Sequence, residues 1–126
     1  MEEPIGAGPG ADKMHDVALV AQKAERFLRE SGTRPFFLMV NYTDPHWPFA
    51  RQVKGIPERP FQPDEVVPFP WQPLDTRGQR KRTAGYYGSV ARLDYGVGLL
   101  LDALRSSGHD GEIGRASCRE RVYVLV

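Results

Sequence analysis

The stretch that most constrains this chain is Arg34 to Phe49. A run of seven apolar or β-favouring residues, Phe36 to Tyr42, is followed almost at once by Asp44-Pro45-His46-Trp47-Pro48-Phe49. Pro45 and Pro48 each fix φ and remove a backbone donor, so the chain must turn or stay extended there. Seven residues is strand length, and an unbroken apolar run is the pattern of a strand buried on both faces. Such strands belong to parallel sheets covered by helices on either side, so the expected class is α/β. In those folds, sites gather at the carboxyl ends of the strands, where the polar turn with His46 falls. His46 has two readings. One is a loop histidine hydrogen-bonded to a neighbouring carbonyl. The other is a site histidine held between two prolines, placed to contact an anion or move a proton.

Upstream, His15 to Ser31 is expected to be a helix. Val17, Val20, Ala21, Ala24, Phe27 and Leu28 fall on one apolar stripe, with Lys23, Glu25, Arg26, Arg29 and Glu30 off it. Asp12 or Asp16 can cap its start, and Gly32 sits just past its end. Residues 1–13 are rich in Gly and Pro and read as loop.

Downstream, Phe49 to Lys81 holds six prolines between Pro57 and Pro73, which exclude a long helix or a central strand. Val66 to Phe69 and Trp71 are candidate apolar anchors in this loop. Arg51, Lys54, Arg59 and Arg77 are candidate contacts for an anionic substrate, or simply surface charges. Thr76 to Ser107 is expected to be a second helix. Its expected seam is Tyr86, Val90, Leu93, Val97, Leu100 and Leu104, with Leu101 widening it and Gly108 as the stop. Gly85, Gly88, Gly96 and Gly98 weaken this helix and point to close backbone approach. Asp94 is either a group at or near a site, or a buried acid paired with Arg92 or a backbone group. Tyr86 and Tyr87 read as core.

P-F-F-L-M-V-N-Y-T-D-P-H-W-P-F resembles the sulfatase family of the alkaline-phosphatase-like superfamily, whose members carry a P-F-F-L-x-V strand followed by a P-H-x-P-F turn. Tyr86 to Gly108, Y-Y-G-S-V-A-R-L-D-Y-G-V-G-L-L-L-D-A-L-R-S-S-G, is similar to a helix that follows that turn in the family. The resemblance spans roughly Asp16 to Gly108. The order E-V-V-P-F-x-W-Q-P-L-D-T-R and then this helix is most similar to the heparan N-sulfatase-type branch. Trp71 to Arg77 departs from that branch's segment, and Trp47 stands where an Arg can follow the turn histidine.

The resemblance implies an α/β, parallel-sheet catalytic domain, here present as helix, buried strand, long Pro-rich loop and helix. It implies hydrolysis of sulfate esters or N-sulfates, on a sulfated small molecule or glycan, and a substrate-anion contact at His46. It also implies calcium and a formylglycine nucleophile, whose motifs this chain does not contain. The chain alone is therefore expected to be an inactive fragment. The alternatives are a phosphodiesterase or phosphonate monoester hydrolase of the same superfamily, or a non-catalytic binding module.

A chain of 126 residues is at most one domain. Glu112 to Val122 can be back-translated into a common sequencing-library adapter. Residues 1–111 are thus expected to be the partial catalytic domain, and residues 112–126 a non-native tail. The other reading of the tail is a charged turn and a short Val-Tyr-Val-Leu-Val strand. Without the tail, 14 basic and 14 acidic residues remain, and the single cysteine, Cys118, is gone. A neutral balance gives no reason to expect nucleic acid, and no apolar run is long enough for a membrane span.

Overall fold

The computed structural model describes Lys13, residues 15–112 and residues 123–125. Asp12 and Cys118 lie outside the described residues. The chain divides into two compact units, one of Met1–Asp16 with Thr43–Leu93, the other of Val17–Tyr42 with Asp94–Val126.

The second unit starts with helix α1, Val17–Ser31. Val17, Ala21, Ala24, Leu28 and Ser31 are buried, at helical spacing. Val20 is half-buried, and Phe27 is exposed at the edge of the stripe. Gly32 stops the helix in the left-handed region, with φ of +59°. Arg34 then satisfies the last carbonyls: its Nη2 donates to Glu30 O at 2.9 Å and its Nε to Ser31 O at 3.2 Å.

The strand is shorter than expected and buried on one face only. Strand β1 is Met39–Asn41, with a burial pattern of exposed, buried, exposed. Phe36 and Leu38 pack on Leu28, Ala103 and Leu104, and Val40 and Tyr42 are buried. Phe37 and Met39 are 70% and 52% exposed. The physical reason is that the apolar run meets packing partners on one face alone, so the pleat sorts it with a period of two. The face left open carries Phe37 and Met39. The described sheet is a two-stranded antiparallel one. Met39, Val40 and Asn41 pair with Leu125, Val124 and Tyr123 of strand β2, Tyr123–Leu125. That strand lies in the tail, residues 112–126, that is expected to be non-native.

In the same unit the Tyr42 hydroxyl donates to Gly96 O at 2.9 Å, and burial pushes its pKa up to about 12. A Cβ on Gly96 would fall 2.7 Å from Val17 Cβ, so that helical position must be bare.

Helix α2, Arg77–Ser106, contributes its first half to one unit and its second half to the other. Thr76 Oγ1 accepts from Gln79 N at 3.2 Å, an N-cap bond. The helix ends in a Schellman motif, with His109 N donating to Leu104 O, Gly108 N to Arg105 O, and Gly108 at φ of +79°. Its buried line differs from the expected seam. Leu100 and Leu104 are fully buried, but Val90 is 39% exposed, and Tyr86, Leu93 and Val97 are half-buried. The line that turns inward is Gly85, Gly88, Ser89, Arg92, Gly96, Leu100 and Ala103. At Gly85 and Gly88 a neighbouring backbone lies against the helix, and at Gly96 the side chains of Val17 and Tyr42 do.

The long loop has little regular structure. Val53 and Ile56 exchange both backbone hydrogen bonds at 2.9 Å around Lys54-Gly55, both at positive φ, which is a type I′ turn. Pro63–Glu65 is a single 3₁₀ turn, with Gln62 N donating to Glu65 Oε2 at 3.1 Å. Arg80 anchors the loop's end, donating to both Asp75 oxygens at 2.6 and 2.5 Å and to Val66 O at 2.8 Å. The hydrogen bond from Arg80 holds the Asp75 carboxyl below its ordinary pKa.

Candidate functional site

The site is a turn, residues 43–51, clasped onto the first half of α2. Its centre is a buried charge cluster. Arg92 Nε donates to Asp44 Oδ2 and Nη2 to Asp44 Oδ1, each at 2.7 Å. Both side chains are fully buried. The remaining donors are not wasted: Nη1 reaches Ala50 O at 3.1 Å and Nη2 also reaches Ser89 Oγ at 3.3 Å. His15 Nδ1 lies 2.8 Å from Asp44 Oδ1, with that side chain equally buried. A carboxylate oxygen can only accept, so Nδ1 carries the proton. In the neutral ring His15 Nε2 is then the acceptor, and it is buried with no partner among the described residues.

One guanidinium thus holds both ends of the turn, Asp44 and Ala50. The helix backbone closes in beside it. A Cβ on Gly85 would lie 2.6 Å from Phe49 O, and one on Gly88 would collide with Arg51 O. Buried charge pairs need this full set of hydrogen bonds, because desolvation otherwise exceeds the attraction.

His46 rides on the clasped turn with its side chain exposed. His46 N donates to Thr43 O at 2.8 Å. Its Nδ1 donates to Trp47 O at 2.5 Å, the neighbouring-carbonyl bond that the plainer reading of this residue anticipated. Nε2 is the nitrogen left to meet a ligand. Trp47, 51% exposed, sits edge-on to Phe49 with ring centroids 5.5 Å apart, and Phe49 meets Tyr86 in the same way.

The other candidates fall elsewhere. Asp94 is exposed, and Arg92 takes Asp44 as its partner instead. Lys54 Nζ donates to Asp16 Oδ2 at 2.5 Å, Arg59 pairs with Glu65, and Arg51 reaches Gln62 Oε1 at 3.3 Å. Arg77 is exposed at the start of α2. Tyr86 and Tyr87 are half-buried members of an aromatic cluster with Phe49, Phe61 and Phe69.

Sequence reasoning missed Asp44, Arg92, Ser89 and His15 as a set. A signal was present. Arg92 lies on the stripe of Gly85, Gly88 and Gly96, where a long cation among small residues implies space kept for its stem.

The sulfatase family model matches residues 3–113. The chain belongs to the sulfatase family. Membership brings an α/β fold of the alkaline-phosphatase-like kind. The chain is also similar to human N-sulphoglucosamine sulphohydrolase, at 31% identity over an alignment of 105 positions that takes in 66% of this chain. It spans about a fifth (20%) of the length of that curated relative. No solved structure gives a significant match.

A sulfatase segment raises the question of calcium. Among the described residues, no group of three or more His, Cys, Asp or Glu side chains could hold a metal ion. A hard cation takes six to eight oxygen ligands, and Asp44, the one acid of the cluster, already accepts three hydrogen bonds from Arg92 and His15. These residues do not fit the ion, and none is assigned to it. No described helix is long and apolar enough to cross a membrane.

Proposed function

We propose that this chain is a segment of a catalytic domain whose complete protein hydrolyses sulfate esters or N-sulfates, with a sulfamate on glucosamine as the leading substrate. The family match supports the reaction class, and the relative named for N-sulphoglucosamine supports the substrate. The observation that carries the site is an exposed imidazole on a turn held at both ends by one buried guanidinium. In this reading His46 contacts the substrate's sulfuryl oxygens. Its Nδ1–H is committed to Trp47 O, so the donor toward the sulfate is Nε2 of the imidazolium. Arg92 and Asp44 do not touch substrate; they fix where the imidazole stands, and a fixed donor loses less entropy on binding.

The family implies calcium and a formylglycine, which supply the charge clamp and the nucleophile. Both are assigned to the parts of the protein outside this chain. The same reading places β1 in the parallel sheet of the complete domain, with Phe37 and Met39 facing a further layer. It also treats residues 112–126 as non-native, so that β2 occupies an edge meant for another strand. Sequencing the source locus across Gly111 tests that last point: contiguous genomic codons for the tail would contradict it.

The activity is tested by expressing the complete reading frame and assaying sulfate release from glucosamine N-sulfate, with a phosphodiester and a phosphonate monoester as comparators. Sulfate release is the expected result. Turnover of the phosphorus esters alone would assign the protein to phosphoryl chemistry. Turnover of neither would favour a binding module.

A further inference from the structure

Beside the turn lies a cavity of about 460 Å³, whose wall includes Phe49, Trp71, Gln72, Gln79, Arg82 and Thr83. Three observations say what it is suited to hold. First, Phe69 and Trp71 are stacked almost parallel, with centroids 4.8 Å apart and planes at 2°, and Trp71 is 77% exposed. Exposing an indole costs apolar surface, and a flat open ring is the shape that takes the C–H face of a pyranose. Second, the polar groups on the wall are unspent. Arg82 has no ion-pair partner among the described residues. Gln72 uses only its Oε1, accepting from Phe69 N at 2.9 Å, so its amide hydrogens remain. Third, Thr83 is 2% exposed, and its Oγ1 is buried with no hydrogen-bond partner among the described residues. A buried polar group left unpaired is costly, and a ligand that pairs it recovers that cost.

We propose that this cavity is a sugar subsite for a hexose bearing an anionic substituent, adjoining the unit that carries the scissile sulfate. The inference rests on the sulfatase reading of His46 and deepens it. Phe49 is common to both sites, lining the cavity and packing on Trp47, the neighbour of His46. Trp71 supplies the stacking platform, Gln72 and Gln79 the donors for ring hydroxyls, and Arg82 the pairing for a carboxylate or a second sulfate. A neutral apolar ligand would leave Arg82 and Thr83 unused. A bare anion would leave the aromatic platform unused.

The experiment is an NMR titration of the 126-residue chain with methyl glucuronide, methyl glucoside and inorganic sulfate, each in turn. Methyl glucuronide is expected to shift the Trp71 indole N–H and the Gln79 and Thr83 amides, and methyl glucoside to bind the same resonances about tenfold more weakly. Trp71→Ala should abolish both responses. Arg82→Gln should bring the glucuronide down to the glucoside's level. Trp71 and Arg82 are exposed, so neither variant threatens the fold. No response at Trp71 and Thr83, or a response unchanged in Trp71→Ala, overturns the subsite. Inorganic sulfate reports on the other reading separately, through His46 and the Trp47 indole. Sulfate shifts without sugar shifts would leave the sulfatase site and remove the subsite. Sugar shifts without sulfate shifts would do the reverse.

Discussion

At the residue scale, the account turns on Arg92. A guanidinium with no solvent exposure is tolerated because Asp44, Ala50 and Ser89 receive its donors. Arg92→Met removes the cation and strands the Asp44 carboxylate, so it should destabilise the chain by about 3–5 kcal/mol in urea unfolding. Pairing it with Asp44→Asn should lose less than the two single changes combined, since the second change removes the stranded charge. Tyr42 makes a different statement. Its folded pKa of about 12 lies above the ordinary value of 10.0. The neutral hydroxyl's contribution is therefore fully present below pH 10, and is lost as pH rises through the folded value. Absorbance titration of the five tyrosines should show one ionising about two units late, coincident with unfolding, and that step should vanish in Tyr42→Phe.

At the element scale, the glycines of α2 divide sharply. Gly85 and Gly88 lie against the backbone of Phe49 and Arg51, whereas nothing lies within 4 Å of a Cβ on Gly98. Gly98→Ala should raise stability by roughly 0.5–1 kcal/mol through helix propensity. Gly88→Ala should instead lower it and loosen the turn, which thermal melts and the His46 and Trp47 resonances can read together. Much of this level is legible in the sequence. The α1 stripe, the Gly32 and Gly108 stops and the irregular proline loop all follow from local chemistry, and the structure has each of them. The seam of α2 was misplaced because periodicity weighs apolar side chains. From Gly85 to Gly96 the inward line is made of glycines, a serine and an arginine, whose burial is decided by what packs on them. The strand was over-read for a related reason: an unbroken apolar run is compatible with two covered faces, but only one is covered in this chain. Asp44 and Arg92 are 48 residues apart, and no local pattern joins them.

At the scale of the whole molecule, the proposal makes the chain a segment of a catalytic domain that supplies one substrate contact and the scaffold behind it. The 126-residue chain should not turn over an aryl sulfate even with calcium added, because the family's nucleophile and metal motifs are not in it. Chromogenic assay of the purified chain checks this. The central claim is that His46, held on the Arg92-clasped turn, binds the sulfuryl group during catalysis. The measurement that tests it most directly is kcat/KM for glucosamine N-sulfate in the complete protein, for wild type and His46→Ala, with melting temperatures measured alongside. Loss of a charge-assisted hydrogen bond of about 1.5–3 kcal/mol predicts a fall of roughly 10- to 160-fold at an unchanged melting temperature. An unchanged kcat/KM would contradict the account and return His46 to an ordinary loop residue.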